Sequence, residues 1–269
     1  MSEITNELKE VVERPRREAQ LLIMALLQKD ELWLMTHETE LIEEDKKLAS
    51  WVARRKVSEP LEYITNRVSF YSQEFHIEQG ALIPRPETEL LIDEVLAIAD
   101  KDLPLTIVEV GVGSGIISTI LAQELPKAKI IAVDISPDAL KVARKNIETF
   151  GLIKRIELRE GNLLAPVDEK IDILVSNPPY IADNEPLERN LDYEPDLALF
   201  GGTIGDEIIQ CLLDEVMMRD ISYFACEMGY DQKEKIENYL NGQNVQLKFY
   251  KDLAGHDRGF VLKKSVKTL

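Results

Sequence analysis

The chain has 269 residues and a mass of 30.6 kDa, of which 45% are hydrophobic, enough for one sizeable domain and a smaller one. Its formal net charge of −17 is unsuited to gripping a nucleic-acid backbone without a local basic patch, and a basic protein partner or a basic ribonucleoprotein surface fits it better. No apolar run is long enough to span a bilayer, the N-terminus lacks a signal-peptide core, and the two cysteines, Cys211 and Cys226, have neither metal-ligand nor redox spacing. A reduced, cytoplasmic setting is the simplest reading. His37, His76 and His256 are scattered, so no metal site is expected.

Residues 1–57 read as helical. Leu21, Leu22, Met24, Ala25 and Leu26 form an apolar stripe, with Leu8 and Val11 as neighbours, and Leu32-Trp33-Leu34 form a second short piece. Leu41, Leu48, Trp51 and Val52 recur at helical intervals, and Pro15 bends or starts a helix. The basic clusters Arg14-Pro15-Arg16-Arg17 and Arg54-Arg55-Lys56 lie among acids and read as solvated helix faces. Such a helical module suits docking, or equally a lid over the core of the main domain. Residues 58–83 change to short β-type alternation (Val68, Phe70, Tyr71, Phe75, Ile77), predicting a hairpin that turns near Ser72-Gln73-Glu74 and links the helices to residues 84–269.

Ile83-Pro84-Arg85-Pro86-Glu87-Thr88-Glu89 opens a helix predicted over Glu87–Ala99, with Pro86 in the first helical position and acids at the positive end of the dipole. The spelling does not separate a well-made helix start from a rigid wall beside a site. An apolar strand over Leu105–Val110 then meets Gly111-Val112-Gly113-Ser114-Gly115, and Ile116 onward is helical to about Glu124. Strand, glycine loop and helix bring backbone N–H groups close to a ligand. The loop has neither the G-x-G-x-x-G of a dinucleotide site nor the G-K-[ST] ending of a triphosphate cradle. The next strand, Lys129–Asp134, ends in an acid roughly 20 residues past the loop, the interval that places a carboxylate on a ribose. Ser136 is the better cap for the helix Pro137–Thr149, which Gly151 stops. Ile156 and Leu158 mark a third strand, and Asn162 at its end could contact a nucleoside base.

Ile173-Leu174-Val175-Ser176-Asn177-Pro178-Pro179-Tyr180 is an apolar strand cut off by two prolines, which cannot donate to a sheet ladder. Ligands of open α/β sheets bind outside the carboxyl ends of strands, where this spelling puts Asn177. The Asn177 amide oxygen and the Pro178 carbonyl are acceptors suited to both hydrogens of a substrate NH2 group, and the Tyr180 ring could lie on the flat group that carries it. The bland alternative is a strand ending in a Pro-Pro turn. An acidic, irregular segment with Asp183, Glu185 and Glu188 follows, a candidate lid or substrate loop, with turn spellings at Tyr193-Glu194-Pro195 and Phe200-Gly201-Gly202. The remaining elements are a helix over Ile208–Met218, a strand over Ile221–Glu227, a helix over Lys233–Leu240 and strands over Val245–Tyr250 and Gly259–Leu262 joined by the Asp252–Arg258 loop. The pattern is a parallel sheet with one antiparallel strand.

With these motifs in place, the chain resembles the protein-(glutamine-N5) methyltransferases that modify the GGQ loop of peptide-chain release factors, the HemK or PrmC family. Residues 83–89, Gly111–Gly115, Val133-Asp134-Ile135-Ser136-Pro137, Asn177–Tyr180, Tyr193-Glu194-Pro195 and Asp252-Leu253-Ala254-Gly255-His256-Asp257-Arg258 carry the likeness. It implies an α/β class I S-adenosylmethionine-dependent fold, a seven-stranded sheet with the last strand antiparallel, preceded by a small N-terminal helical domain. It also implies S-adenosyl-L-methionine as cofactor, with Gly111, Val112, Gly113, Ser114 and Gly115 at its amino-acid end and Asp134 at its ribose. Asn162, Leu163 and Asn177 complete the cofactor set. Asn177, Pro178, Pro179 and Tyr180 would hold the glutamine amide, with Arg85 and Glu87 beside the substrate. The family commonly has Asp before a bulky residue where this chain has Asn162-Leu163, and the N-terminal helices match only loosely. The implied enzyme is a cytoplasmic monomer without stable nucleic-acid or membrane binding. Other acceptors consistent with the motifs are a glutamine in a ribosomal protein and a base in nucleic acid. A cofactor-binding protein without catalysis is the remaining alternative.

Overall fold

The computed structural model describes residues 1–37, 45–187, 189 and 191–264. Leu41 and Glu188 therefore lie outside the described residues. The chain divides into two compact units, Met1–Arg67 with Ile77–Gln79 and Leu187–Tyr193, and Val68–His76 with Gly80–Pro186 and Glu194–Leu269.

The smaller unit is helical: Ser2–Leu8, Pro15–Leu27, Glu31–Thr36, Lys46–Lys56 and Leu61–Thr65. Leu8, Leu22, Ile23, Leu34, Leu48, Trp51, Val52 and Ile64 share one core. Pro15 starts its helix, as its fixed φ and missing donor favour. Leu8 sits in a separate short helix and Val11 in the turn after it, so these two do not extend the Leu21–Leu26 stripe along one helix. The basic side chains are largely engaged within the unit: Arg55 donates to Glu18 Oε2 at 2.5 Å and Oε1 at 3.0 Å, and Arg54 to Glu59 at 2.8 and 2.6 Å.

In the larger unit, Arg67–Phe70 and Gln73–His76 form a hairpin. Its turn is Tyr71-Ser72, both at positive φ (51° and 58°), slightly earlier than the spelling suggested. Two left-handed turn residues match the right-handed twist of the flanking strands. Tyr71 N–H donates to Glu89 at 2.7 Å, and His76 N–H donates to Asn146 Oδ1 at 2.8 Å, so the hairpin is fastened to the main body.

The main sheet has strands β1 (Thr106–Val110), β2 (Lys129–Asp134), β3 (Ile156–Glu160), β4 (Ile171–Ser176), β5 (Ile221–Glu227), β6 (Val245–Lys251) and β7 (Asp257–Lys264). Their spatial order is β6-β7-β5-β4-β1-β2-β3. β7 runs antiparallel to both its neighbours, and β1 to β5 run parallel. This is the expected seven-stranded architecture with the last strand antiparallel. The parallel strands are buried on both faces, which is why Ile130-Ile131-Ala132-Val133 reads as a continuous apolar run. Phe224 and Phe260 meet edge to face across β5 and β7, with ring centroids 5.5 Å apart.

Helices α1 (Thr88–Ile98), α2 (Ile116–Glu124), α3 (Pro137–Thr149), α4 (Glu207–Met218) and α5 (Lys233–Tyr239) complete the layers. α1 starts one residue later than predicted, with Glu87 as its N-cap and Pro86 outside it. Ser136 does cap α3, accepting from Ala139 N–H at 3.2 Å. From β1 the chain winds one way through β2 and β3, then crosses to β4 and β5 on the other side. The carboxyl ends of β1 and β4 flank that reversal, where open α/β sheets form their ligand crevice.

Candidate active site

A cavity of about 260 Å³ opens at this reversal. Its wall joins Gly111, Val112, Gly113 and Ser114 from the turn after β1, Asp134 at the end of β2, Asn162 and Leu163 after β3, and Asn177, Pro178 and Pro179 after β4. The structure thus gathers ten of the fourteen site residues expected from sequence into the wall of one hollow. Gly115, Tyr180, Arg85 and Glu87 lie outside the wall.

Three of these departures have a local cause. Gly115 caps α2 in the left-handed conformation (φ +78°), and a Cβ there would stand 3.0 Å from Ala143 on α3. It packs two helices together. The Tyr180 ring packs against the main core, and its hydroxyl donates to Glu227 Oε1 at 3.4 Å. Burial, reinforced by the Glu227 charge, pushes its pKa well up. Arg85 is occupied: it donates to Glu194 Oε1 at 2.6 Å and to the Ile83 carbonyl at 2.9 Å. Glu194 also accepts from Ile83 N–H at 2.9 Å, so the Tyr193-Glu194-Pro195 spelling clamps the Ile83–Pro86 segment from within. Phe200-Gly201-Gly202 is a short strand paired with Ile181-Ala182 rather than a bare turn. Gly201 is required there because a Cβ would lie 2.4 Å from the Pro179 carbonyl oxygen.

The wall is acidic. Asp134 accepts from Gly113 N–H through Oδ2 and from Ser136 N–H through Oδ1, both at 2.9 Å, so it shapes the glycine turn as well as facing the hollow. Burial raises its pKa, against the pull of those backbone donors. Glu109, the penultimate residue of β1, is 1% exposed and borders the cavity. Ser118 donates to its Oε2 through the hydroxyl and, at 2.9 Å, through the backbone N–H. Its Oε1 is buried with no hydrogen-bond partner among the described residues. Burial pushes this carboxyl up to about 8, despite the Ser118 donors. Leu163 holds a left-handed backbone (φ 50°), rare for a residue with a branched side chain, and turns the chain so that Asn162 and Leu163 both reach the wall. Among the described residues no group of three His, Cys, Asp or Glu could hold a metal ion.

Sequence reasoning did not single out Thr88, Glu109 or Glu227. Thr88 lines the cavity, accepts from Asn177 Nδ2 at 3.1 Å and donates to Glu227 Oε2 at 2.7 Å. A signal existed for both acids: each lies at the carboxyl end of an apolar strand, on the side where the glycine turn begins, and a carboxylate there is costly unless it has a task.

The PrmC N-terminal domain model matches residues 1–65, and the Methyltransferase small domain model matches residues 86–191. A release factor glutamine methyltransferase from Koribacter versatilis is 37% identical over 259 residues, covering 93% of this chain and 91% of that one. Another, from Dictyoglomus turgidum, is 38% identical, covering 95% and 94%. This chain belongs to the release factor glutamine methyltransferase family. The N-terminal domain of human METTL16 in complex with SAH has a similar fold, with a TM-score of 0.51 at 14% identity, covering 83% of this chain and 84% of that one. As a family member the protein is an S-adenosyl-L-methionine-dependent methyltransferase. The residues present fit that cofactor. It carries positive charge on its sulfonium and amino groups, and the wall offers the carboxyls of Asp134 and Glu109, the latter with an unpartnered oxygen.

Proposed function

We propose that this protein methylates the N5 side-chain nitrogen of the glutamine in the GGQ motif of peptide-chain release factors, with S-adenosyl-L-methionine as donor. The observation that carries the reading is the shared wall: the Gly111–Ser114 turn and the Asn177-Pro178-Pro179 strand end border one cavity, and a Cβ on Gly111 would lie 3.8 Å from the Asn177 carbonyl oxygen. The names of the relatives support the acceptor.

When bound, S-adenosyl-L-methionine supplies an electrophilic sulfonium methyl. The Gly111–Ser114 turn with Asp134, Asn162 and Leu163 would hold it. An amide nitrogen is a poor nucleophile because its lone pair is delocalised into the carbonyl. Asn177 Oδ1 and the Pro178 carbonyl accept the two N–H bonds of the glutamine amide and leave its lone pair directed at the cavity. Pro179 keeps the Pro178 carbonyl in an extended setting. Fixing the reactants in this way is worth on the order of 7–11 kcal/mol. The proton that the methylated nitrogen sheds goes to water, so no strong base is called for. Tyr180 supports the strand end from behind, and Arg85 and Glu87 act through the rim.

In the same reading residues 1–57 dock the substrate, 58–83 link and 84–269 carry the chemistry; the match of residues 1–65 to the PrmC N-terminal domain supports the first assignment. The protein acts as a cytoplasmic monomer that does not hold nucleic acid stably, in keeping with its charge of −17 and with no described helix long and apolar enough to cross a membrane. Incubation with methyl-labelled cofactor and, separately, release factor, ribosomes or DNA tests the acceptor. Label should enter the release factor alone, at the GGQ glutamine. Label in ribosomal protein or DNA instead would overturn the reading. Asn177→Ala should keep cofactor affinity in calorimetry and lose most transfer, by roughly 10²-fold or more in kcat; undiminished turnover would remove Asn177 from this role.

A further inference from the structure

A chain of three polar groups, brought by different parts of the sequence, runs from the cavity wall into the core. Glu227 closes β5 and is 1% exposed, and Thr88 opens α1 and is 4% exposed. Asn177 follows β4. Asn177 Nδ2 meets Thr88 Oγ1 at 3.1 Å, and Thr88 Oγ1 meets Glu227 Oε2 at 2.7 Å. The far oxygen of Glu227 accepts from the Tyr180 hydroxyl at 3.4 Å.

We propose that Thr88 and Glu227 are positioning residues that decide which end of the Asn177 amide faces the reacting nitrogen. The inference rests on the reading of Asn177 as the acceptor for the glutamine NH2. The two ends of an Asn amide are nearly the same size and opposite in chemistry. Shape alone does not choose between them, and an inverted Asn177 would present N–H donors to an NH2 group. A threonine hydroxyl alone does not choose either, because it both donates and accepts. The carboxylate breaks the tie. Burial raises Glu227 to about 7, so above that pH it is ionised and only accepts, and it takes the single hydroxyl proton of Thr88. The Thr88 oxygen is then left with lone pairs and takes an N–H from Asn177. That leaves Oδ1 as the amide atom available to the substrate. Tyr180, donating at the other oxygen, keeps Glu227 an acceptor at both ends. With Thr88 and Glu227 almost fully buried, water has little access to replace a link, and a polarity set at the carboxylate is passed along the chain.

A neutral amide in place of the carboxylate would reverse the sense. In Glu227→Gln the new side chain accepts from Tyr180 with its oxygen and turns its NH2 to Thr88. The Thr88 proton then swings towards Asn177 and favours the inverted amide, with almost no change of shape.

The test uses the full-length protein at about pH 8, where Glu227 is ionised, with labelled S-adenosyl-L-methionine and a purified release factor. Absence of label with the wild-type protein would overturn the functional reading and this inference together, and is seen before any variant is compared. Thr88→Val should lower kcat by roughly 10-fold to 100-fold, with cofactor Kd unchanged to within about twofold, and Thr88→Ser should restore most of the rate. Glu227→Gln should fall with the valine variant. In an Asn177→Ala background, Thr88→Val should add nothing, because its effect passes through that amide. The inference fails if Thr88→Val keeps kcat within about twofold of wild type, if serine is as slow as valine, or if the valine loss multiplies that of Asn177→Ala. Should Thr88→Val not fold, the isosteric Glu227→Gln decides: undiminished kcat overturns the inference.

Discussion

Asp134 does two jobs with one carboxylate. Its oxygens accept from Gly113 and Ser136 N–H at 2.9 Å, and each oxygen retains a lone pair for a ligand in the cavity. Asp134→Ala should therefore weaken S-adenosyl-L-methionine binding both by removing an acceptor and by loosening the glycine turn; equal affinity in calorimetry would exclude both effects. Gly115 shows the opposite case, a residue grouped with the ligand by spelling that works in packing. Ala at φ +78° with its Cβ 3.0 Å from Ala143 is strained and crowded. Gly115→Ala should cost about 1–2 kcal/mol in urea unfolding, with the loss in stability exceeding the loss in cofactor affinity. The glycine loop was legible because strand, glycines and helix follow one another in the chain. The division of labour within it was not, since it depends on how close α3 comes.

Among the elements, the strand ends were the most legible. Two prolines stop β4 wherever it sits in the sheet, and an acid ends both β2 and β5. The segment before α1 was less so. Pro84 and Pro86 announce a rigid stretch, but its anchor, Glu194, lies 109 residues beyond Arg85. Glu194 is almost fully buried and holds Ile83 N–H at 2.9 Å and Arg85 at 2.6 Å. Removing it leaves a buried N–H and a part-buried guanidinium without their acceptor. Glu194→Ala should lose roughly 1–3 kcal/mol of stability. Because Ile83–Pro86 leads directly into Thr88, transfer should fall as well. A thermal midpoint unchanged from wild type would show that the clamp is idle.

For the whole molecule, the two buried carboxyls of the site set a pH dependence. Folding raises Glu109 from 4.5 to about 8, chiefly by burial, and Glu227 from 4.5 to about 7, again chiefly by burial. The folded chain holds protons that the unfolded chain releases. This contribution is complete below the unfolded value and is lost as the pH rises through about 7 and then about 8. The thermal midpoint of the cofactor-free protein should decline from about pH 5 to about pH 8, and Glu109→Gln should flatten the upper part of that decline. A wild-type midpoint level over that range, or an identical slope in the variant, would contradict the assignment.

The order of apolar strands, glycine turn and prolines along the chain determined the fold class and the strand ends that meet at the cavity, because burial on both sheet faces and the missing proline N–H are local constraints that no later contact removes. Only the tertiary structure decided what backs the cavity. Thr88, Asn177 and Glu227 stand on three separated elements, and nothing in their spacing says that a hydroxyl proton, an amide and a carboxylate will come within hydrogen-bond reach. The same holds for the pairing of Arg85 with Glu194, 109 residues away in the chain.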